Sequence, residues 1–430
     1  MSWDFSTEPE FQEKLDWAEA FVREEIEPLD VLWPHDIYKQ LTDEQRRVIE
    51  PLKQQVKAKQ LWACHLGPEL GGLGYGQLKL ALLNEILGRA LWAPRVFGTQ
   101  APDTGNAEIL AHFGTEEQKA KYLQPLLEGE IRSCYSMTEP QGGSDPGVFT
   151  LRAVRDGDDW ILDGRKFFSS NARYAAFLIV LAVSDPDAGP HHGMSMFIVP
   201  TDTPGVKIER NIAVTGEPDE EGSHALIHYD NVRVPAENML GEQGEAFAVA
   251  QTRLGGGRVH HAMRTIGNCQ RAFDMMCERV LSRTTKGSLL ADKQFVQGYI
   301  ADSWAELEQF RLLVLQTAWK IDKYQDYQKV RKDIAAIKSL LPKIINDVVG
   351  RAIQVHGAIG TSNEMPLGPM FIRQFTLGFS DGPSEIHKVT VARQVLKDYQ
   401  PAPGLWPSEH LPTRREAARD KLNTLLAEPT

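Results

Sequence analysis

The chain has 430 residues, which at about 150 residues per domain predicts roughly three domains and excludes a single small module. Apolar residues make up 42% of the chain and charged residues 24%, values typical of a protein with a sizeable core, so wholesale disorder is excluded. Its formal net charge of −11 argues against nucleic acid or an anionic membrane surface as a partner.

Cysteine usage and the apolar runs indicate the type of compartment. The four cysteines form no CxxC pair and have no regular spacing, which predicts reduced thiols in the cytoplasm rather than disulfides or a zinc ribbon. The first five residues have neither the basic start nor the apolar core of a signal peptide. The longest strongly apolar run, residues 175–183, is far shorter than the ~20 residues that span a bilayer, so no membrane segment is expected.

Residues 1–132 are predicted to form an N-terminal helical domain. Apolar residues such as Phe11, Leu15 and Ala18 recur three and four positions apart, as on the buried face of a helix. Pro28 is expected to break this first run.

Residues 133–241 are predicted to form a middle β domain. Two Asp-Gly pairs, Asp156-Gly157 and Asp163-Gly164, predict tight turns between short strands. Further strands are predicted over residues 175–183, 194–199, 206–212 and 225–234. Together they indicate a small antiparallel sheet or barrel.

Residues 242–400 are predicted to form a C-terminal four-helix bundle. Amphipathic segments cover residues 247–281, 294–324, 327–355 and 384–399. Pro342 predicts a kink or a boundary in the third segment. The tail, residues 401–430, is expected to lie outside the main core, which makes the fold class mostly α with a central β domain.

Motifs for several other chemistries are absent from the sequence. There is no GxGxxG after a strand, no GxxxxGK[ST], no HExxH and no GxSxG. His224 and His228 are four residues apart, but they fall in a predicted strand without an acidic or cysteine ligand. We therefore predict no metal site and interpret these histidines as surface or core residues.

The segment from Tyr135 to Asp145 lies where the predicted N-terminal helical domain is followed by the predicted middle β domain. Its Gly-Gly-Ser-Asp half can present successive backbone N–H groups to an anion, and Thr138 offers a hydroxyl and an amide to a heteroaromatic edge. The same residues also suit a plain turn at the end of a strand. The segment alone leaves both interpretations open.

Five motif-like segments follow one another in the sequence, namely Tyr135–Asp145, Lys166–Asn171, Arg283–Gly287, Gln354–Gly360 and Asp381–Ile386. In order and spacing they resemble the motifs of the acyl-CoA dehydrogenase family of flavoproteins. That resemblance implies FAD as cofactor and an N-terminal helical domain, an antiparallel β-barrel domain and a C-terminal four-helix bundle. Residues 254–261 and 380–383 are most similar to the branch found elsewhere fused to an aminoglycoside-phosphotransferase-like kinase domain, although no kinase segment is recognised in this sequence.

The resemblance implies contacts to the flavin within one subunit. Phe168, which replaces the family's usual Trp, and Ser170 are expected at one face and edge of the flavin. Ser144 is expected at the flavin pyrophosphate or the acyl-CoA. The other residues expected to bind the cofactor here are Tyr135, Met137 and Thr138 at the ring, and Gly143 and Glu385.

The resemblance also implies a shared cofactor site. In the family the Arg and Gln motifs reach FAD across a subunit contact, so Arg283, Gln354 and Gly357 are expected to bind a neighbour's pyrophosphate and adenine. A guanidinium suits this role because it is permanently charged and binds phosphate oxygens bidentately. A cofactor site shared between subunits implies a homo-oligomer, either a dimer or a dimer of dimers. Lys286 and Pro383 depart from the family pattern, so the adenosine end is expected to be held differently.

Asp381 occupies the family's base position, where a carboxylate takes the C2 proton of the thioester while the flavin accepts a hydride from C3. In the local sequence, Asp followed by Gly-Pro is also a good helix cap, and one residue can serve both roles. Gly382 and Arg253 are expected to contact substrate, unless Arg253 is a solvated surface charge. Some relatives have the base on the first bundle helix, at the position we align with Thr252, which cannot act as a base near neutral pH.

The resemblance therefore implies an FAD-dependent acyl-CoA dehydrogenase that forms a 2,3-enoyl-CoA and passes electrons to an electron-transfer flavoprotein. An oxidase of the same fold, acting on an acyl-CoA or a nitroalkane, is one alternative. A low-turnover flavin-containing binding or assembly protein, including DNA-associated relatives, is the other. Net charge disfavours DNA, and the carboxylate at the base position disfavours an inactive site.

Overall fold

The computed structural model describes residues 5–214, 216–218 and 221–427. In chain order the described residues form helices, then a curled sheet, then helices again, which confirms the predicted fold class. None of the helices in these ranges combines the length and the apolar character needed to cross a membrane.

The N-terminal helices form where the apolar periodicity predicts them. Phe11, Leu15 and Ala18 of α1 are buried, and α3 begins at a capping box in which Thr42 and Gln45 satisfy each other's backbone N–H groups. The helices are α1 (Pro9–Phe21), α2 (Glu27–Leu32), α3 (Asp43–Ala58), α4 (Gly76–Leu87), α5 (Ala93–Val96), α6 (Asp103–Phe113), α7 (Glu116–Gln118) and α8 (Gln124–Glu128).

Pro28 does not break the first helical run, so that prediction is wrong. A π-helical turn, Val22–Ile26, follows α1, and α2 continues directly from it with Pro28 in its first turn. A proline in a first turn removes only an N–H that has no partner within its own helix. A second π-helical turn, Lys119–Leu123, joins α7 to α8.

A seven-stranded sheet forms the central part. Its strand order is β1-β4-β2-β3-β7-β6, with β5 on the other edge of β4. The strands are β1 (Ser133–Ser136), β2 (Arg152–Asp156), β3 (Asp159–Lys166), β4 (Phe177–Val183), β5 (Met194–Pro200), β6 (Val206–Ile212) and β7 (His224–Pro235). A four-residue helix, α9 (Gly189–His192), precedes β5.

Two details of the sheet differ from the prediction. β4 pairs in parallel with β1 and β2, so the sheet is mixed rather than wholly antiparallel. Asp163-Gly164 is not a turn, because β3 continues through it with a register shift against β7. A Cβ on Gly164 would lie 2.8 Å from Cα of Leu151, so this glycine allows a close backbone approach instead of a chain reversal.

Residues 242–400 contain five helices, one more than the sequence predicted. The added helix, α13, contains two glycines and a proline, which lower helix propensity and hide it from pattern analysis. Helix α12 runs through Pro342 without a boundary. The helices are α10 (Ala246–Ser282), α11 (Gln294–Tyr324), α12 (Arg331–His356), α13 (Leu367–Phe379), α14 (Ser384–Leu396) and the exposed α15 (Leu411–Ala427), with a hairpin of β8 (Thr284–Thr285) and β9 (Ser288–Leu289) after α10.

Helix α10 connects the cores of the molecule. Its first turns, with Val249, pack in a buried cluster with Ile109 of α6 and Ile179 of β4. Farther along, Met263 belongs to a second buried cluster that includes Leu83 of α4. Helix α10 is therefore anchored in both buried clusters. The side chains on the part of α10 between the two clusters consequently have defined positions.

Candidate active site

A cavity of about 1130 Å³ lies between the sheet and the C-terminal helices. Its walls come from the segment after β1, the segment after β3, the first half of α10, the start of α12 and the turn between α13 and α14. The structure brings ten of the predicted site residues to these walls, which are Tyr135, Met137, Thr138, Gly143, Ser144, Phe168, Ser170, Arg253, Asp381 and Gly382.

A buried ion pair fixes the segment after β1. Nζ of Lys166 donates to the carbonyl of Met137 and to Oε1 of Glu139, each at 2.8 Å, and both charged side chains are almost completely buried. The Glu139 carboxylate also accepts the backbone N–H groups of Thr150 at 2.7 Å and Leu151 at 3.0 Å. These bonds set the backbone that carries Met137 and Thr138 along the cavity wall.

Arg253 lies inside the site and is not a solvated surface charge. Its guanidinium carbon lies 3.8 Å from the centroid of the Tyr135 ring, a cation–π contact. Its Nε donates to Oδ1 of Asn106 at 2.9 Å, which ties α10 to α6. Burial raises the pKa of Tyr135 to about 12, so the phenol is neutral beside this charge.

Phe168 presents an aromatic ring at the mouth of the cavity. Its backbone has a φ of +53°, and 44% of its surface is exposed. The ring makes a T-shaped contact with the His224 ring, with centroids 5.9 Å apart. His224 itself lines the cavity, and burial lowers its pKa. The sequence interpretation of His224 as a surface or plain core residue missed this position.

Asp381 lies in the turn before α14 but does not cap that helix. The N-cap position is Pro383, and no side-chain cap bond is present there. The Asp381 backbone has a φ of +55°, a conformation that non-glycine residues seldom adopt. Its carbonyl accepts from Nε of Arg258 at 2.9 Å and lies 3.2 Å from Nε2 of His387. Arg258 and His387 thus hold the turn through the backbone carbonyl of Asp381. The side-chain carboxylate of Asp381 is not used in the turn and is available at the cavity.

The Asp381 carboxylate lies beside one histidine and two arginines. Oδ2 lies 3.3 Å from Nε2 of His261, and only 17% of the Asp381 side chain is exposed. Burial raises the pKa of Asp381, but the hydrogen bond and charge of His261, together with the charges of Arg253 and Arg258, outweigh it. The net pKa is well below that of an ordinary aspartate, so the group is a carboxylate at neutral pH.

Three consecutive glycines in α10 each make room for a different side chain. A Cβ on Gly255 would lie 3.4 Å from the Tyr327 ring, one on Gly256 would lie 2.6 Å from Oε2 of Glu108, and one on Gly257 would lie 2.9 Å from Oδ2 of Asp381. The run of glycines predicted a close approach here, and the structure identifies the approaching groups.

The helix position that faces Asp381 is Gly257, not Thr252. The Thr252 side chain donates to the carbonyl of Ala248 at 3.4 Å, a local helix contact, and Thr252 does not line the cavity. Our alignment of the alternative base position with Thr252 is therefore corrected. Neither residue has a carboxylate, so α10 supplies no base facing Asp381.

Glu108 is a buried acid that the sequence did not indicate. Oη of Tyr327 donates to its Oε1 at 3.3 Å, and burial raises the pKa of Glu108 to about 8. The sequence does not show that this glutamate is buried, because it lies on an amphipathic helix and is buried only by the packing of α6 against α10.

The remaining predicted residues lie outside the cavity. Arg283, Gln354, Gly357 and Glu385 are exposed and do not line it. A Cβ on Gly357 would lie 3.8 Å from Nη1 of Arg283, so the structure brings the Arg and Gln motifs together at one end of the helical bundle.

The candidate histidine pair shows no metal-binding arrangement. Nδ1 of His228 lies 3.7 Å from Oε1 of Glu209, at the surface of the sheet, while His224 faces the cavity. Within the described ranges no cluster of three or more His, Cys, Asp or Glu side chains is placed to bind a metal.

Comparison with known proteins gives matches along nearly the whole chain. Family models described as the N-terminal, middle and C-terminal domains of acyl-CoA dehydrogenase match residues 8–130, 134–232 and 244–396. The probable acyl-CoA dehydrogenase FadE2 of Mycobacterium tuberculosis is 44% identical over 81% of this chain and 86% of its own length. Acyl-CoA dehydrogenase family member 11 of Gallus gallus is 42% identical over 82% of this chain.

A solved structure from Mycobacterium abscessus, whose description names an acyl-CoA dehydrogenase, superposes with a TM-score of 0.84. It is 38% identical and covers 92% of this chain and 100% of its own. The chain spans 45% of the length of the Gallus gallus relative, so that protein contains much sequence without a counterpart here.

Proposed function

The chain belongs to the acyl-CoA dehydrogenase family and is therefore an oxidoreductase; on that premise we propose that it converts an acyl-CoA thioester to a 2,3-enoyl-CoA with FAD. The observation that carries the proposal is the difference in bonding between the two carboxylates at the cavity wall. Glu139 is committed to the buried pair with Lys166, whereas Asp381 keeps its carboxylate at the cavity. Asp381 is thus the wall residue suited to be the base.

The cavity fits a flavin together with an acyl chain. Its volume of about 1130 Å³ exceeds the ~300–1,000 Å³ typical of a pocket for one small ligand. Tyr135, Met137 and Phe168 offer apolar and aromatic contacts to a flavin ring, while Thr138 and Ser170 offer polar ones. FAD bound there would supply the acceptor for the C3 hydride.

The protein's own part of the reaction is to position the substrate and remove the C2 proton. The carboxylate of Asp381 accepts that proton on a side-chain oxygen. Its low exposure keeps water from competing, and positioned base catalysis of this kind is worth about 10²–10⁴ in rate. Gly382, Ser144 and Arg253 line the same cavity and are the proposed contacts of the acyl-CoA.

Arg283, Gln354 and Gly357 are proposed to bind the FAD of a neighbouring subunit. What supports this is their place outside the chain's own cavity, on an exposed end of the bundle where Arg283 and Gly357 meet. The proposal requires a homo-oligomer, a dimer or a dimer of dimers. Glu385 and Gly143 are proposed to contact the cofactor as well.

We assign the electron acceptor to the electron-transfer flavoprotein class and the chain to the kinase-fused branch of the family. The second proposal is supported by residues 254–261 and 380–383, whose sequence resembles that branch. A cytoplasmic location is supported by the cysteines, all four of which are free thiols. The acidic net charge supports partners other than nucleic acid or a membrane.

The test is flavin reduction by straight-chain acyl-CoAs of short, medium and long chain, followed anaerobically as bleaching of the flavin absorbance. Asp381→Asn is expected to keep its fold, because Asn tolerates positive φ and no cap is lost, and to lose about 10²–10⁴ in reduction rate. Asp381→Glu is expected to retain part of the rate.

Reduction of Asp381→Asn at the wild-type rate would remove Asp381 from the mechanism. Reduced enzyme that persists in air supports a dehydrogenase, whereas rapid reoxidation by dioxygen would indicate the oxidase alternative. If no acyl-CoA in the series bleaches the flavin, the proposed substrate class is wrong.

A further inference from the structure

We propose that the preferred acyl-CoA carries a negatively charged group, a carboxylate or a phosphate ester, on its acyl chain a few carbons beyond C3. Arg258 and Arg331, which both line the cavity, are the residues assigned to bind that group. The inference rests on the proposed function and names a substrate class for the same site. The reaction itself is unchanged, with the C2 proton going to Asp381 and the C3 hydride to the flavin.

The cavity wall is rich in positive charge, although the whole chain has a net charge of −11. Among the described residues, the acidic groups on this wall are Glu139 and Asp381, and Glu139 is already committed to its buried ion pair. The arginines on the wall are Arg253, Arg258 and Arg331. Asp381 balances one of these three charges, so the wall favours an anion in the cavity.

Arg331 is a charged side chain without a partner among the described residues. It is exposed, it is the first residue of α12, and no carboxylate in the described ranges lies within 4 Å of its guanidinium. The lysines on either side differ, because Lys329 lies 3.9 Å from Asp326 and Lys332 lies 4.0 Å from Asp398. The start of α12 also adds the partial positive charge of a helix N-terminus to this wall.

Arg258 presents most of its guanidinium to the cavity. Its Nε donates to the Asp381 carbonyl at 2.9 Å, and its two terminal nitrogens form no hydrogen bond with any described residue. A guanidinium offers five N–H donors in a fixed fork, which matches the paired oxygens of a carboxylate or a phosphate. The unused edge of Arg258 is therefore suited to bind an anion.

The two arginines come close together because α10 touches the segment that leads into α12. A Cβ on Gly255 would lie 3.4 Å from the Tyr327 ring, which marks the contact. Arg258 follows Gly255 by three residues and Arg331 follows Tyr327 by four, so both extend from this contact. Burial lowers the pKa of Arg258, and the nearby charge of Arg331 lowers it further. An anion bound between the two side chains relieves this repulsion.

The position of Arg258 favours an anion on the acyl chain over a phosphate of CoA or FAD. Its Nε is bonded to Asp381, the residue proposed to meet C2, so the guanidinium lies near the reacting carbons. The phosphates of CoA are separated from the thioester by the whole pantetheine arm, and those of FAD from the flavin ring by the ribityl chain. A group on the acyl chain close to C3 reaches Arg258 directly.

The experiment compares acyl-CoAs of equal chain length, with anaerobic flavin reduction measured at limiting substrate. The probes are hexanoyl-CoA, the mono-CoA thioester of adipic acid and the phosphate ester of ω-hydroxyhexanoyl-CoA. The wild type is expected to prefer an anionic probe to hexanoyl-CoA by about tenfold or more, the effect of a charge-assisted contact. The adipic thioester and the phosphate ester distinguish a carboxylate from a phosphate. A preference for hexanoyl-CoA over both anionic probes overturns the inference.

Variants of Arg331 test which residue recognises the anion. Arg331→Gln is expected to lower the ratio of the anionic to the neutral rate by about tenfold, and Arg331→Glu is expected to lower it further. Arg331→Lys keeps the charge without the fork and is expected to retain part of the preference. Lys332→Gln is the matched control, since it makes the same charge change at the next residue, which does not line the cavity. It is expected to keep the wild-type ratio.

Three other results for Arg331→Gln overturn the inference. Equal slowing with hexanoyl-CoA and the adipic thioester would mean that Arg331 binds the CoA part. A lower FAD content would mean that it binds the cofactor. A change in oligomeric state on sedimentation, without a change in the rate ratio, would mean that it pairs with an acid of a neighbouring subunit.

Failure of this inference differs from failure of the proposed function. If the wild type reduces its flavin with hexanoyl-CoA but shows no preference for either anionic probe, only the inference fails. If no acyl-CoA, neutral or anionic, bleaches the flavin, the proposed function itself fails.

Discussion

Gly257 of α10 faces the carboxylate of Asp381 so closely that a Cβ on the glycine would lie 2.9 Å from Oδ2. A glycine inside a long helix costs about 1 kcal/mol relative to alanine. At Gly257 the absence of a side chain, which lowers helix stability, also leaves the space that the proposed base occupies. Helix stability and the position of the base therefore oppose each other at a single residue.

Gly257→Ala is expected to separate these two effects. The helix gains intrinsic stability of up to ~1 kcal/mol, while the added methyl displaces the Asp381 carboxylate. We expect the unfolding temperature to stay equal or rise and the rate of flavin reduction to fall about tenfold or more. Thermal unfolding and anaerobic flavin reduction measure the two quantities on the same sample.

Thr252→Ala is the control for this change. It alters a side chain on the same helix that makes only a local contact and does not line the cavity. Its reduction rate is expected to stay within a few-fold of wild type. A Gly257→Ala variant with an unchanged rate would mean that the position of Oδ2 does not matter for proton removal.

Lys166→Met is expected to unfold the protein more easily and to weaken FAD retention. It leaves the buried Glu139 carboxylate without its ion-pair partner, a change that typically costs about 3–5 kcal/mol. The segment that carries Met137 and Thr138 also loses the bond from Nζ to the Met137 carbonyl. Urea unfolding and the FAD content after gel filtration measure the two effects.

Two further variants calibrate this result. Adding Glu139→Gln to Lys166→Met removes the unpaired charge and is expected to recover part of the stability. Lys207→Met breaks the exposed pair with Asp230 and is expected to cost far less stability than Lys166→Met, because solvent screens an exposed pair. Equal losses for Lys166→Met and Lys207→Met would contradict the importance of the buried pair.

Arg283→Ala is expected to weaken FAD binding by about tenfold to a hundredfold, the equivalent of losing one charge-assisted contact of ~1.5–3 kcal/mol. The expected reason is loss of the contact to a neighbour's cofactor. Titration of the apoprotein with FAD gives the affinity, and sedimentation of the same samples gives the oligomeric state. Arg415→Ala, on the exposed α15, is the control of equal charge change. A stable monomer that retains FAD at wild-type affinity would refute a shared site.

Glu108→Gln is expected to reduce the pH dependence of stability. The pKa of Glu108 is raised to about 8 in the folded chain, so between its ordinary value and pH 8 the folded state holds a proton that the unfolded state releases. This group's contribution is fully present at low pH and is lost as the pH rises through 8. The variant is therefore expected to match the wild type near pH 5 and exceed its stability near pH 8 in urea unfolding.

Glu364→Gln, at an exposed glutamate, is expected to leave the pH dependence of the wild type unchanged. A Glu108→Gln variant whose stability falls with pH as steeply as that of the wild type would show that Glu108 does not titrate in the folded chain.

Local periodicity predicted the broad architecture, because buried faces of helices and strands leave repeats in the sequence. Phe11, Leu15 and Ala18 are buried on α1 as their spacing predicted. The same approach failed where tertiary context overrides local preference. Asp163-Gly164 suits a turn, yet the chain stays extended there, because β3 pairs with β7 on both sides of the pair.

The site was predictable only in part. The ordered motifs predicted that Tyr135, Phe168 and Asp381 meet, and all three line one cavity. Their proposed roles stay predictions. Glu108 could not be found from the sequence, because it is an isolated residue on an ordinary helix and its partner, Tyr327, lies far away along the chain.

The glycine triplet places a limit on how the length of α10 can change. Three residues with side chains, inserted within α10 just before Gly255, would move the triplet by three positions, a rotation of about 300° relative to the first turns of the helix. Tyr327, Glu108 and Asp381 would then each meet a residue that carries a side chain. Insertions and deletions are therefore expected to be far more harmful here than conservative substitutions. The position of each residue along α10 is thus fixed by the three side chains that pack against its glycines.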